Sequence, residues 1–274
     1  MEFESRGLER TYMGYLVAVR QGDLAAVKLF LADGFSPNAR YEEPILVISA
    51  QDNQLEVLQA LIQAGADVNA AGGGGFQAIH VAAWHARVDI VRELLKAGAD
   101  PNAYGDPTDE GGAFVPLYEA CTRTLDGSAE TAERIETVKV LLEHGARVNV
   151  YHPRGGRGPL HVASLYGFDG VLRLLLENHA EIEHEDGFGD TPLMAAAVAG
   201  QPKAVTVLLA GGAQVNHRTQ RGTALLLASE HGYAEVVRLL LKAGADPKLT
   251  NAAGKTAYNV ARKPEVVRLL RAAR

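Results

Sequence analysis

The chain has 274 residues, 47% of them hydrophobic and only 6% aromatic, with a formal net charge of −6. That apolar content supports a folded chain, and because Cys121 is the only cysteine, an intrachain disulfide is excluded and a reducing compartment is expected. No stretch approaches the roughly 18 apolar residues of a membrane span, and Met1–Arg10 is charged with no apolar segment behind it, so a soluble cytoplasmic protein is expected.

One pattern returns along the whole chain: an apolar run, two linking residues, then small and polar punctuation. It first stands at Phe30-Leu31-Ala32-Asp33-Gly34-Phe35-Ser36-Pro37-Asn38 and sharpens at Leu61-Ile62-Gln63-Ala64-Gly65-Ala66-Asp67-Val68-Asn69. Copies follow at Leu94–Asn102, Leu141–Asn149, Leu175–Ile182 (with His179 in the glycine slot), Leu208–Asn216 and Leu240–Pro247. The glycine slot falls at 34, 65, 98, 145, 179, 212 and 244, so the intervals are 31, 33, 47, 34, 33 and 32. A fixed period near 33 with one long interval indicates a repeat architecture with an insertion.

Each unit carries a second signature downstream. It reads Gln77-Ala78-Ile79-His80-Val81-Ala82-Ala83, Gly158-Pro159-Leu160-His161-Val162-Ala163-Ser164 and Thr191-Pro192-Leu193-Met194-Ala195-Ala196-Ala197, with weaker copies at Glu43–Leu46, Val115–Tyr118, Thr223–Leu226 and Thr256–Tyr258. A Thr hydroxyl caps a helix, and Pro at the next position loses only an N–H that has no helical partner. The alanines let helices approach closely. About ten residues on, runs such as Val236–Leu241 predict a second helix that stops at a glycine able to adopt the left-handed conformation. The Asp and Asn that follow favour a tight turn.

These elements, in fixed phase over about residues 12–274, resemble the ankyrin-repeat family. The resemblance implies an all-α solenoid of helix pairs with hairpin-like fingers, in which no unit buries its apolar face without a neighbour. We expect a single domain over 1–274, with units at 12–41, 42–71, 72–104, 105–151, 152–185, 186–218 and 219–250 and a C-terminal cap at 251–274. His80 and His161 fall in the family's motif-histidine slot, whose imidazole bonds within and between repeats. The resemblance implies a protein-binding scaffold or adaptor, not an enzyme, with neither cofactor nor metal.

Other motifs are weak. Gly254-Lys255-Thr256 lacks the first glycine of a phosphate-binding loop, since Leu249 stands there. Gly72–Gly75 and Gly155–Gly158 fall at fingers, where glycine permits tight or mobile turns. The nine histidines lack the clustering of metal ligands, and no nucleophile–base pattern surrounds Cys121.

Relatives dock partners on finger tips and on the face made by the first helices. Transferring that face gives Arg20 and Gln21, Gln51 and Asp52, Trp84 and His85, Thr122 and Arg123, Leu165 and Tyr166, Val198 and Ala199, and Glu230 and His231. Finger candidates are Tyr41, Phe76, Tyr104, Phe114, Tyr151, Arg154, Arg157 and Phe188, with Arg40 and Arg218. Aromatic and Arg side chains are favoured interface anchors. For Phe76, Phe114 and Phe188 the alternative is packing back beneath the fingers. The insertion at 123–136 is either tolerated loop growth or a specificity element. Asp126 or Ser128 there is expected to cap a second helix running from about Ala129 to His144, two turns longer than its siblings, with Glu130 near its positive end.

Charge is uneven: residues 1–200 hold 29 acidic and 15 basic side chains, residues 201–274 only 4 and 12. This is either solubilising charge on a cap or a basic end that meets an acidic partner or nucleic acid. A protein partner and a monomer are expected, with end-to-end self-association of oppositely charged ends as the alternative.

Overall fold

The computed structural model of the chain describes residues 3, 7–105, 114–122, 130–153 and 155–273. Arg123, Arg154, Asp126 and Ser128 lie outside them. Among the described residues the chain is helical and without strands, as the sequence pattern predicts. Bridged pairs, Arg40 with Pro44, Thr219 with Gly222 and Thr250 with Thr256, supply hairpin-like closures in three fingers.

Helices come in pairs. They are α1 (Tyr12–Gln21) and α2 (Leu24–Ala32), α3 (Ile45–Gln51) and α4 (Leu55–Gln63), α5 (Ala78–Trp84) and α6 (Val88–Lys96), and α7 (Pro116–Ala120) and α8 (Ala132–Glu143). After them come α9 (Pro159–Tyr166) and α10 (Asp169–Glu177), α11 (Pro192–Val198) and α12 (Pro202–Ala210), α13 (Ala224–His231) and α14 (Ala234–Lys242), and α15 (Ala257–Val260) and α16 (Pro264–Ala272). The chain divides into two compact units, residues 1–120 with 132–147, and residues 121–131 with 148–274. Within each unit first helices pack on first helices and second on second: α3, α5 and α7, then α2, α4, α6 and α8 in one; α9, α11, α13 and α15, then α10, α12, α14 and α16 in the other.

The residues explain the elements. Thr191, Thr223 and Thr256 cap α11, α13 and α15 by accepting from Met194 N, Leu226 N and Asn259 N, and Pro159 and Pro192 open α9 and α11. Ala82, Ala83, Ala163, Ala196 and Ala197 are fully buried, so the first helices approach without bulky side chains between them. Leu58, Leu61, Ile90 and Leu94 fill one interior, and Leu172, Leu175, Val205 and Leu208 the other.

The glycine slot takes the left-handed conformation, with φ from 86° to 96° at Gly34, Gly65, Gly98, Gly145, Gly212 and Gly244. His179 holds the same slot with φ 65°, a strained position for a residue with a Cβ.

The asparagine ending each punctuation does more than shape a turn. Asn38 donates to Gly65 O at 3.2 Å and accepts from Asp67 N at 2.7 Å, so one amide satisfies both a carbonyl and an N–H of the following repeat. Asn102, Asn149 and Asn216 repeat this with Gly145 and Arg147, His179 and Glu181, and Gly244 and Asp246. Glu183 occupies the equivalent place after His179 and keeps only the acceptor half, from Gln214 N at 2.7 Å.

The insertion departs from expectation. Helix α8 begins at Ala132, not near Ala129, and its twelve residues exceed the nine of α6 or α10 by less than a turn. Glu130 does not serve α8. Its carboxylate accepts from Gly170 N at 3.1 Å and Val171 N at 2.7 Å, capping the positive end of α10.

Candidate protein-docking surface

Two fingers are held from below by the motif histidines. His80 accepts from Gln77 N through Nδ1 at 3.1 Å, and its Nε2 lies 2.9 Å from Ala103 O and 3.2 Å from Phe114 O in the next finger. His161 repeats the scheme with Gly158 N at 3.4 Å and Asp190 O at 3.1 Å. An Nδ1 that accepts and an Nε2 that faces carbonyls require the neutral Nε2–H ring. Burial disfavours the charged form, more than the carbonyls restore it: the pKa of His80 lies below its ordinary value and that of His161 falls to about 4.

Immediately before each of these helices lies a slot beneath the finger, filled differently in the two units. Phe76 and Phe114 occupy it in the first unit, with ring centroids 6.3 Å apart and planes 24° from parallel, and Phe76 also meets His80 edge-on. Both are half-buried. Arg157 and Asp190 occupy it in the second unit. Arg157 Nε donates to Asp186 Oδ2 at 2.8 Å, and Arg221 pairs with Asp190 Oδ2. Asp186 is 6% and Asp190 4% exposed. Burial raises both carboxyl pKa values; Arg157 and two backbone N–H groups outweigh it at Asp186, whereas Asp190 stays above its ordinary value despite Arg221.

Four aromatic candidates stand clear of the interior: Phe188 is 64% exposed, Tyr41 57%, Tyr104 52% and Tyr166 40%. Phe188 lies at a true tip, flanked by Gly187 and Gly189, with the Arg157 guanidinium 5.2 Å from its ring centre. Tyr151 is committed elsewhere: its ring stacks on His184 at 3.6 Å and its hydroxyl donates to Glu181 at 2.6 Å.

At the ends of the first helices, Trp84 and His85 are half-buried and lie against one another at 4.9 Å, while Arg20, Gln51, Glu230 and His231 are exposed. The end of α5 is tied down by a residue the sequence pattern did not mark. Arg134 on α8, 2% exposed, donates to Ala120 O at 2.6 Å and to Trp84 O at 3.5 Å, placing a cation at the negative ends of α7 and α5.

A profile for the family described as "Ankyrin repeats (3 copies)" matches residues 16–104, 116–186 and 160–251, well over half of the chain. This chain belongs to the ankyrin-repeat family. The crystal structure of the human ASB11 ankyrin repeat domain superposes with a TM-score of 0.70 at 30% identity, over 84% of this chain and 97% of that one. Among curated proteins, the chain is 31% identical over 124 residues to a transient receptor potential channel subfamily A member 1 homolog of Caenorhabditis elegans, covering 45% of this chain and 10% of that protein. It is 38% identical over 111 residues to the probable E3 ubiquitin-protein ligase XBOS32 of rice, covering 39% and 22%. The chain thus spans under a quarter of these relatives' own lengths.

Ankyrin repeats generally serve as protein-interaction modules, and the features that suggested other chemistry have structural uses in this ankyrin chain. The run Gly72–Gly75 closes on the carboxylate of Glu43, which accepts from Gly73 N at 3.0 Å; a Cβ on Gly72 would lie 1.5 Å from that carboxylate. Its glycines therefore admit a neighbouring finger. Gly156 is similarly crowded, with Gly187 N 3.0 Å from where its Cβ would be. Cys121 is fully buried. Among the described residues no group of three or more His, Cys, Asp or Glu is placed to hold a metal, and no helix is long and apolar enough to cross a membrane.

Proposed function

We propose that this chain is a non-catalytic scaffold that docks a partner protein on its finger tips and on the exposed ends of its first helices. The supporting observation is the outward placement of Phe188, Tyr41, Tyr104 and Tyr166 on segments whose backbones are fixed by His80, His161 and the bridging asparagines. Aromatic rings on a pre-organised frame lose little freedom on binding, so more of the contact energy appears as affinity. Phe76, Phe114 and Tyr151 then act as supports of the tips and not as anchors. The buried thiol of Cys121 suits a cytoplasmic setting, and we take the monomer as the working species.

The test is selection of binders from a displayed protein-fragment library, followed by affinity measurement. Replacing Tyr41, Tyr104, Tyr166 and Phe188 together by Ala should weaken selected binders by about a hundredfold, in line with the loss of two hot-spot residues. Replacing Lys28, Glu143, Glu177 and Lys242 on or beside the second helices should leave affinity within about twofold. Equal losses in the two sets would remove the tips as the docking surface.

A further inference from the structure

Counted along the chain, finger five is at residues 181–191, finger six at 214–223 and finger seven at 246–256; the first two of these border a half-open cleft of about 450 Å3, lined by Glu185, Gly187, Phe188, Gly189, Arg218, Thr219 and Gln220. Its two walls differ in character. One carries Phe188, the most exposed large apolar side chain among the described residues. Glu185 on the same wall is hydrogen-bonded to His217 Nε2 at 2.9 Å. The other wall carries exposed Arg218, whose Nε donates to Thr250 O at 2.8 Å and whose Nη2 reaches Thr250 Oγ1 at 3.2 Å, fixing the guanidinium between fingers six and seven.

Charge beyond that wall is mainly basic, with Asp246 as the one carboxylate of finger seven, where it accepts from Lys248 N at 2.8 Å. No carboxylate occurs in residues 191–229 or 247–264, while exposed Lys248 and Lys255 flank finger seven. Among the described residues Arg218, Lys248 and Lys255 have no carboxylate within ion-pair distance, whereas Arg221 is already used by Asp190. Fingers six and seven lie side by side, with Ala252 N donating to Gln220 O at 3.0 Å. An apolar anchor therefore borders a run of unneutralised cations.

We propose that this cleft takes an acidic, extended protein segment that places one apolar side chain against Phe188 and its carboxylates along Arg218, Lys248 and Lys255. The proposal rests on the docking reading above and specifies the partner's chemistry for one of its sites. The apolar contact supplies most of the binding energy, and the cations supply approach and orientation, which salt weakens.

The experiment uses the whole chain and short labelled peptides in fluorescence anisotropy: a Glu-rich peptide with one central Leu, the same with Ala for Leu, and the same with Lys for each Glu. The Glu/Leu peptide should bind, and the other two should bind at least about tenfold more weakly. Phe188→Ala should reduce binding by about tenfold, as should Lys248→Glu combined with Lys255→Glu; these side chains are exposed, and circular dichroism verifies folding. Arg218→Gln provides a second charge variant. Equal binding of the Lys peptide would overturn the proposal, as would a peptide response that ignores Phe188→Ala. If single-stranded DNA binds more tightly than the Glu/Leu peptide, the cations serve nucleic acid and the proposal fails. If no peptide binds while the tip variants still weaken the selected binders, this cleft's role is overturned and the docking reading stands; if the tip variants also have no effect, both fall.

Discussion

The position two residues before a first helix recurs in both units, yet Phe76 and Phe114 fill it with stacked rings in one, and Arg157 and Asp190 with ions in the other. Phe76 and Phe114 shed water and gain dispersion contacts, an attraction that salt and pH scarcely touch. Arg157, Asp186, Asp190 and Arg221 form pairs in which the acids are nearly inaccessible, so each carboxylate depends on its partner for the solvation it has lost. Among the described residues Asp190 Oδ1 finds no hydrogen-bond partner. A repeat fold thus specifies a site to be filled, not the interaction that fills it, and the two fillings respond differently to conditions.

The largest effect should come from removing one ion. Arg221→Met leaves the Asp190 carboxylate buried without its cation and should destabilise the protein by about 3 kcal/mol in urea unfolding. Adding Asp190→Asn should recover most of that loss. Phe76→Ala should cost about 2 kcal/mol, and the same amount at low and high salt. If the Phe76 loss varied with salt as much as the Arg221 loss, the contrast between the two slots would collapse.

Acid provides the next distinction. The folded pKa of His161 is lowered to about 4 from an ordinary 6.5, so protons bind the unfolded chain first. Its contribution is complete above pH 6.5 and is lost as pH falls through 4, at up to about 1.4 kcal/mol per pH unit. His161→Gln should flatten stability measured across that window; an unchanged slope would show that the acid response originates elsewhere.

The smallest effect tests the irregular junction. His179→Gly relieves a left-handed residue and should stabilise the chain by about 1 kcal/mol. Gly212→Ala, at φ 96°, should cost at least as much. A destabilised His179→Gly variant would mean that the imidazole makes a compensating contact.

Much of this was legible in the residues alone. The 33-residue period, the capping threonines and the alanine pairs determine the helix pairs, because caps, turns and close packing depend on residues a few positions apart. The motif histidines were legible too, since their slot is local even though their acceptors lie in the next finger. The exposed aromatics were harder. Phe76, Phe114 and Phe188 look alike in a list, but the first two stand immediately before their helices, where a side chain turns under the finger, and Phe188 stands two residues further out.

Other decisions belong to tertiary structure. Nothing near Asn38 in sequence announces that its amide serves Gly65 and Asp67, although the recurrence of asparagine at 69, 102, 149 and 216 marks the position as one with a repeated role. Arg134 reaching Trp84, Glu130 capping α10 and Arg221 balancing Asp190 join residues 31 to 50 positions apart. The sequence by itself determined the repeating local geometry. Only stacking one repeat on the next decided which charges were buried, which carbonyls they met and which rings were left in water, because desolvation and long-range partnership exist only once neighbours are in place.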